Sequence, residues 1–373
     1  MMRYIFLVSL GIIIWGNTSF AQSKKSNNVS LLLPFNAKQI ISNPSYKDAE
    51  LGNMCREYYQ GALIALDSCE KANIAVRLTV FDTENDSLTV LNILQKQAFK
   101  ESELIIGPVK QNGNIVLSDF CEQNKIFHVS PLMTFSKSKI DDPYWVSANP
   151  DLPVYAKFIT KHITSTDSNA QIIVITDKSV LGRTLFNTFK QLGIDKKGKI
   201  KTVEFSPDLD LSHYTKNDMN NHIIVAALQD RIVNATLRKI NDTITTPNLH
   251  TYGFMQWFDS KTIEYRILER CNLKIISPFY SDYSRDDVKK FITKYREKFY
   301  TEPTEAAYKG YDQMLMLVHA MNKQGKQLMN ELTENTQQML GTKYFFVKQK
   351  NGSYQNQFLN ILKFENYKLI PIN

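Results

Sequence analysis

The 373-residue chain contains no CxxC pair, no GxSxG, HExxH or GxGxxG sequence and no GxxxxGK[ST] phosphate loop. These absences remove the usual local signs of a zinc ribbon, a serine hydrolase, a helical zinc protease, a dinucleotide fold and a nucleoside triphosphatase. The six histidines are scattered, and no two share a helix at metal-ligand spacing. His128 sits in an apolar stretch and reads as a core histidine, and Asp82 with Glu84 makes only one acidic pair in a loop. The expectation is therefore a non-enzyme with neither cofactor nor metal. Long runs of one charge are missing too. Lysines come as pairs such as Lys24-Lys25 and Lys196-Lys197, so the net charge of +8 reads as a lysine-rich surface and not as a nucleic-acid face.

Apolar runs of membrane length are also lacking. The one long apolar run lies at the N-terminus, at residues 5–15, behind the positive Arg3 and ahead of Ser19-Phe20-Ala21. That arrangement predicts a signal peptide over residues 1–21, cleaved before Gln22. The run is short for a bilayer span, and no cysteine near the cleavage site offers a lipid anchor. Loss of Arg3 leaves a charge of 8 − 1 = +7. The mature chain is expected to be soluble, without stable membrane insertion, in the periplasm of a two-membrane bacterium. Cysteine is scarce: Cys55, Cys69, Cys121 and Cys271. Cys55 and Cys69 fall on one predicted helix, roughly 21 Å apart at about 1.5 Å per residue, beyond disulfide reach. A Cys69–Cys121 bridge stays open, and buried free thiols are the default.

What the chain does contain is an alternation of apolar strands and amphipathic helices, run through twice. Residues 29–34, 74–81, 104–106 and 126–129 read as strands, with helices over 51–71, from a cap at Ser87, and over 113–123. Strands this continuously apolar imply a parallel sheet covered on both faces. Residues 136–153, rich in Ser, Lys, Asp and Pro, read as a crossing to a second lobe. The alternation restarts with strands at 171–176, 201–205, 222–227, 249–254 and 273–276, and with a helix over 257–269. A second crossing falls near 277–280. Ser284 then caps a helix, and residues 305–322 form another, apolar on most sides and hence buried. The tail alternates around Asn351-Gly352, a hairpin signal, and should hold a third crossing.

Four segments give the chain a recognisable likeness. Residues 29–35 (VSLLLPF) with Gln60-Gly61-Ala62, residues 104–109 (LIIGPV) with 126–133 (IFHVSPLM), residues 172–182 (IIVITDKSVLG), and residues 291–320 with Pro303, Gly310, Tyr311 and Asp312 follow one another in a set order. In that order the chain resembles extracytoplasmic ligand-binding proteins of the leucine/isoleucine/valine receptor type. The resemblance implies an α/β fold of the periplasmic binding protein-like I class: two doubly wound parallel-sheet lobes joined by three crossovers, closing like a hinge on a ligand. The expected division is 29–146 and 279–338 in lobe 1, and 147–278 and 339–373 in lobe 2.

Ligands of open parallel sheets bind off the carboxyl ends of strands, where helix N-termini offer free N–H groups. Residues at such ends are the expected ligand contacts: Lys110, Gln111, Asn112, Ser130, Leu132, Met133 and Thr134 in lobe 1, and Asp177, Ser179 and Trp257 in lobe 2. Amino-acid receptors of the family place a small hydroxyl residue shortly after the Gly-Pro, to hold the ligand carboxylate. Here Val109-Lys110-Gln111-Asn112 stands there instead. Lys110 could meet an anion or be solvated, and Trp257 could stack on a ligand or be a half-buried helix-start aromatic. Two functions compete: a receptor for a small solute of unknown class, serving an inner-membrane permease or a sensor, and a protein-binding module like the binding-protein-fold regulators of peptidoglycan synthases, partnered by a cell-wall synthase.

Overall fold

The structure is a computed structural model that describes residues 26–132, 140, 142–195, 199–216, 218–243 and 248–372. The expected signal peptide and its cleavage site, and the expected site residues Met133 and Thr134, lie outside them. In chain order the strands are β1 (Asn27–Leu33), β2 (Val76–Asp82), β3 (Leu104–Ile106), β4 (Phe127–Ser130), β5 (Trp145–Ser147), β6 (Gln171–Thr176), β7 (Ile200–Glu204), β8 (Asn221–Ala226), β9 (Leu249–Phe254), β10 (Leu273–Ser277), the small ribbon β11 (Gln337–Gln338) and β12 (Lys343–Tyr344), then β13 (Phe346–Lys348), β14 (Tyr354–Asn356), β15 (Asn360–Glu365) and β16 (Lys368–Pro371). Two seven-stranded sheets result, ordered β13-β14-β5-β4-β3-β1-β2 and β16-β15-β10-β9-β8-β6-β7. Each is parallel except at one edge, where β13 runs against β14, and β15 against β10 and β16. The apolar runs read from the sequence are buried on both faces. Leu31, Leu32 and Leu33 are fully inaccessible, and every residue of β6 is buried.

The chain passes between the sheets at 148–151, 278–285 and 357–359. Two boundaries need correction. Residues 145–147, read as part of the first crossing, are strand β5 of the first sheet, buried throughout. Residues 339–356 were assigned to the second lobe, but β13 and β14 belong to the first sheet. The expected hairpin forms, with Gly352 at φ 92°, and β14 then pairs in parallel with β5, Tyr354 beside Val146. The Tyr354 ring also packs edge-on against Phe127 at 5.9 Å. All four cysteines are buried free thiols. Burial pushes the Cys55 and Cys271 thiols up to about 12, so they stay protonated and unreactive.

One helix pair carries the first lobe. Helix Ala49–Lys71 crosses helix Glu305–Gln324 against one face of the sheet. A Cβ added at Gly61 would stand 1.8 Å from the Ala307 carbonyl oxygen, and one at Gly310 would stand 1.9 Å from that of Tyr58. The two glycines are thus reciprocal, each making room for the other helix's backbone. Asp312, two residues on, is fully buried, and its two oxygens accept the Leu340 and Gly341 N–H groups at 2.9 and 2.8 Å. Tyr58 donates to Gln313 Oε1 at 2.8 Å, and Gln313 Nε2 donates to the Pro131 carbonyl at 2.9 Å. These bonds fix where the loop after β4 leaves the sheet.

Candidate functional site

A groove of about 330 Å³ lies where the lobes meet. The first lobe contributes Leu132, after β4, and Glu305 and Lys309, on the first turns of helix Glu305–Gln324. The second lobe contributes Leu152 and Tyr155 from helix Leu152–Thr166, Leu181, Leu228, Phe254 at the end of β9, and Met255, Gln256 and Asp259 just after it. The floor is the hinge itself: Asn149-Pro150 in the first crossing and Ser277-Pro278 in the second.

Side-chain amides pin this hinge. Asn149 Nδ2 donates to the Pro131 carbonyl at 3.0 Å, and Ser147 Oγ donates to the Asn149 carbonyl at 2.9 Å. Asn356 Nδ2 reaches the Ala148 carbonyl at 3.1 Å, while its Oδ1 accepts the N–H groups of Phe345 and Phe358, both at 3.0 Å. Asn360 Nδ2 donates to the Ser277 carbonyl at 3.2 Å. Crossing strands have few ladder partners, so these side chains help to satisfy buried backbone groups there; the Pro131 carbonyl accepts from both Asn149 and Gln313.

The groove mixes apolar side chains with Asn149, Gln256, Asp259, Ser277, Glu305 and Lys309, and polar atoms make up the larger part of its surface. Its charged side chains are Asp259, Glu305 and Lys309; Lys309 is 9% exposed, and its Nζ lies 2.7 Å from Glu305 Oε1. Burial, and next the Glu305 carboxylate, push the Tyr155 hydroxyl well above its ordinary value, so it stays protonated and able to donate. Among the described residues no group of three or more His, Cys, Asp or Glu side chains is arranged to hold a metal ion.

The expected site residues scatter. Leu132 lines the groove. Lys110 and Asn112 instead line a separate polar hollow of about 320 Å³ at the tips of β1, β2 and β3, with Thr83, Asn85, Asp86 and Ser87. Lys110 is the N-cap of helix Gln111–Asn124, and Gln111 is its half-buried first residue. The neighbouring helix is capped by Asp86, not by Ser87: the Asp86 carboxylate accepts the Thr89 N–H at 2.9 Å. Ser130 is fully buried at the end of β4. Asp177 and Ser179 close on each other, Asp177 Oδ1 accepting the Ser179 N–H and hydroxyl, with the Ser179 Oγ accepting Gly182 N–H at 3.0 Å. Trp257 is corrected: it is 2% exposed in the second lobe's core, and its indole donates to the Ala227 carbonyl at 2.9 Å. Residues 255–259 form a 3-10 turn where an α-helix was expected, and that turn folds the indole under Gly253.

Tyr155, Gln256, Asp259, Glu305 and Lys309 were not anticipated. Only Lys309 left a signal, as a charge on a helix otherwise apolar on most sides. A larger hollow of about 650 Å³ flanks the hinge, but it is walled by Phe258, Tyr265, Phe279, Phe364 and similar rings, with Lys368 as its one charge.

The model of the receptor family ligand binding region matches residues 62–360. No match was found among curated protein sequences. Solved structures that superpose on the chain include one assigned to a branched-chain amino acid ABC transporter from Rhodospirillum rubrum (14% identity, TM-score 0.69, covering 93% of this chain and 100% of that one). An ABC transporter substrate-binding protein from Desulfitobacterium hafniense in complex with Leu gives 16% identity and a TM-score of 0.59, over 93% of this chain and 100% of that one. LpoA from Haemophilus influenzae gives 15% and 0.64, over 94% of this chain but 60% of its own. At these identities the likeness is one of fold.

Proposed function

Because the chain belongs to the receptor family ligand binding region, matched over residues 62–360, we propose that it is an exported, non-catalytic solute-binding protein of the periplasm. Its lobes close on a small ligand in the groove, and the closed form is what an inner-membrane ABC-type importer or a sensor reads. The observation that carries this is the position of the groove, which touches both lobes and two of the three crossings at the strand ends. A ligand seated there contacts both sheets only when they approach, so it binds the closed state better and shifts the population toward it. Relatives described as branched-chain amino acid or leucine proteins make such amino acids the first solutes to try.

A thermal-shift screen of the purified protein against amino acids, peptides, sugars and nucleotides tests the reading. A saturable rise in melting temperature with one class is expected, by mass action. Silence from every class, together with capture of a cell-wall synthase, would favour the protein-binding module instead.

A further inference from the structure

A second groove, of about 640 Å³, also touches both lobes. Its second-lobe wall is helix Leu152–Thr166, its first-lobe wall is the β13–β14 hairpin, and Asp151, Gln357 and Phe358 of the first and third crossings complete it. At about 100° per residue, Leu152 and Tyr155, which wall the first groove, lie on the opposite side of this helix from Lys157 and Lys161, which wall the second. Charge sets the second groove apart. The helix carries Lys157 and Lys161, the stretch 343–359 carries Lys343, Lys348 and Lys350, and neither contains an Asp or Glu. Lys157 and Lys161 are exposed, and neither is ion-paired with a described residue. Lys343 Nζ sits 5.4 Å above the Phe358 ring, so lysines of both lobes border the recess. The one carboxylate in its lining is already engaged: Asp151 caps the helix, its Oδ1 accepting the Val154 N–H at 3.0 Å.

We infer that this groove receives an acidic segment of a partner protein. Lysines brought together from two lobes repel one another, and carboxylates laid between them relieve that repulsion while bridging the lobes. The recess also holds groups that a flat anionic bilayer would leave unused. Phe158, Val347 and Phe358 are half-buried in it, and Phe345 is 41% exposed. The side-chain amides of Gln349, Gln355 and Gln357 can both donate to and accept from a peptide backbone. The partner's acidic side chains then meet the lysines, and its apolar ones the phenylalanines. This docking does not depend on which solute the other groove holds.

The test titrates the purified protein into a fluorescein-labelled, glutamate-rich peptide that carries phenylalanine, and into a matched peptide with glutamine for every glutamate, both read by fluorescence anisotropy. Sedimentation with phosphatidylglycerol vesicles is run alongside. The variants are Lys157→Gln with Lys161→Gln, Phe345→Ala, and a control that removes the same charge elsewhere, Lys38→Gln with Lys100→Gln, both exposed on the first lobe. Melting of each variant shows that it is folded. The acidic peptide should bind and its glutamine counterpart should not. The groove pair should weaken it about tenfold, as loss of two exposed ion pairs would, Phe345→Ala should weaken it too, and the control pair should leave it unchanged. Equal loss in the control pair would mean attraction to a basic surface at large and overturns the inference. So do equal binding of the glutamine peptide, an unchanged affinity in Phe345→Ala, silence from the acidic peptide, or vesicle binding that depends on Lys157 and Lys161 while the peptide does not bind.

Discussion

Replacing Gly310 by alanine tests the packing that builds the first lobe. On an isolated helix the change would stabilise by about 1 kcal/mol, through propensity alone. Here the new methyl would stand 1.9 Å from the Tyr58 carbonyl oxygen and 2.7 Å from its carbon, well inside ordinary contact. The struck atoms are backbone, and helix Ala49–Lys71 is wedged between its partner and the sheet, so no rotamer change relieves the clash. The helices must part, breaking the Tyr58–Gln313 bond and loosening contacts of Cys55, Ala62 and Leu317. Overpacking of this kind costs about 3 kcal/mol, which outweighs the propensity gain and leaves a net loss of about 2 kcal/mol. Chemical denaturation followed by circular dichroism should show a lower midpoint at unchanged slope, and melting should fall by roughly 4–8 °C. Gly61→Ala should behave alike, and the double variant should lose less than the sum, since one displacement relieves both clashes. A midpoint equal to or above that of the native chain would refute the close crossing.

Three further outcomes follow from buried polar groups. Asp312→Asn leaves one acceptor for two buried N–H donors and should cost about 1–3 kcal/mol, read from denaturation midpoints. Burial, against the pull of the Gly341 and Leu340 N–H groups, raises the Asp312 carboxyl from 3.8 to about 7. The folded state therefore holds this proton more tightly than the unfolded chain, so acidification from pH 7 towards 4 adds stability that the asparagine variant lacks. His222 works in the opposite sense. Burial, with His250 and Lys274 nearby, outweighs Asp167 and lowers it from 6.5 to about 4, so stability is lost as pH falls through that window. His222→Gln should flatten the acid limb of a midpoint-against-pH series; an unchanged limb would count against this burial effect. Trp257→Phe orphans the Ala227 carbonyl and should cost about 1–3 kcal/mol, yet leave solute affinity intact, because the ring is in the core and not in the groove.

The sequence reveals elements where chemistry is local and hides them where it is not. Leu31–Leu33 and Ile172–Ile175 were legible because strands covered on both faces are apolar without interruption. Strand β5 escaped notice: three residues among Asp, Pro and Ser carry no period of their own. The hairpin around Gly352 was legible from its turn, but its sheet was not. That choice is made by pairing with Val146 and Ser147, two hundred residues earlier. The site shows the same split. A strand end can be read, so Leu132 was found, but the direction of the following turn cannot, so Trp257 was placed outside the core. Lys309 needed the reverse logic, a charge that breaks an apolar face, and only the neighbouring lobe shows what that charge borders.

The account rests on two lobes closing on a solute, and an interlobe distance tests it most directly. The native cysteines are buried, so spin labels can be carried by Asn112→Cys, in the first turn of helix Gln111–Asn124 after β3, and Lys178→Cys, in the loop after β6, both exposed and on opposite lobes. Pulsed dipolar spectroscopy should show this distance shorten and its spread narrow when the solute that raises the melting temperature is added. An unchanged distribution with that solute bound would contradict closure.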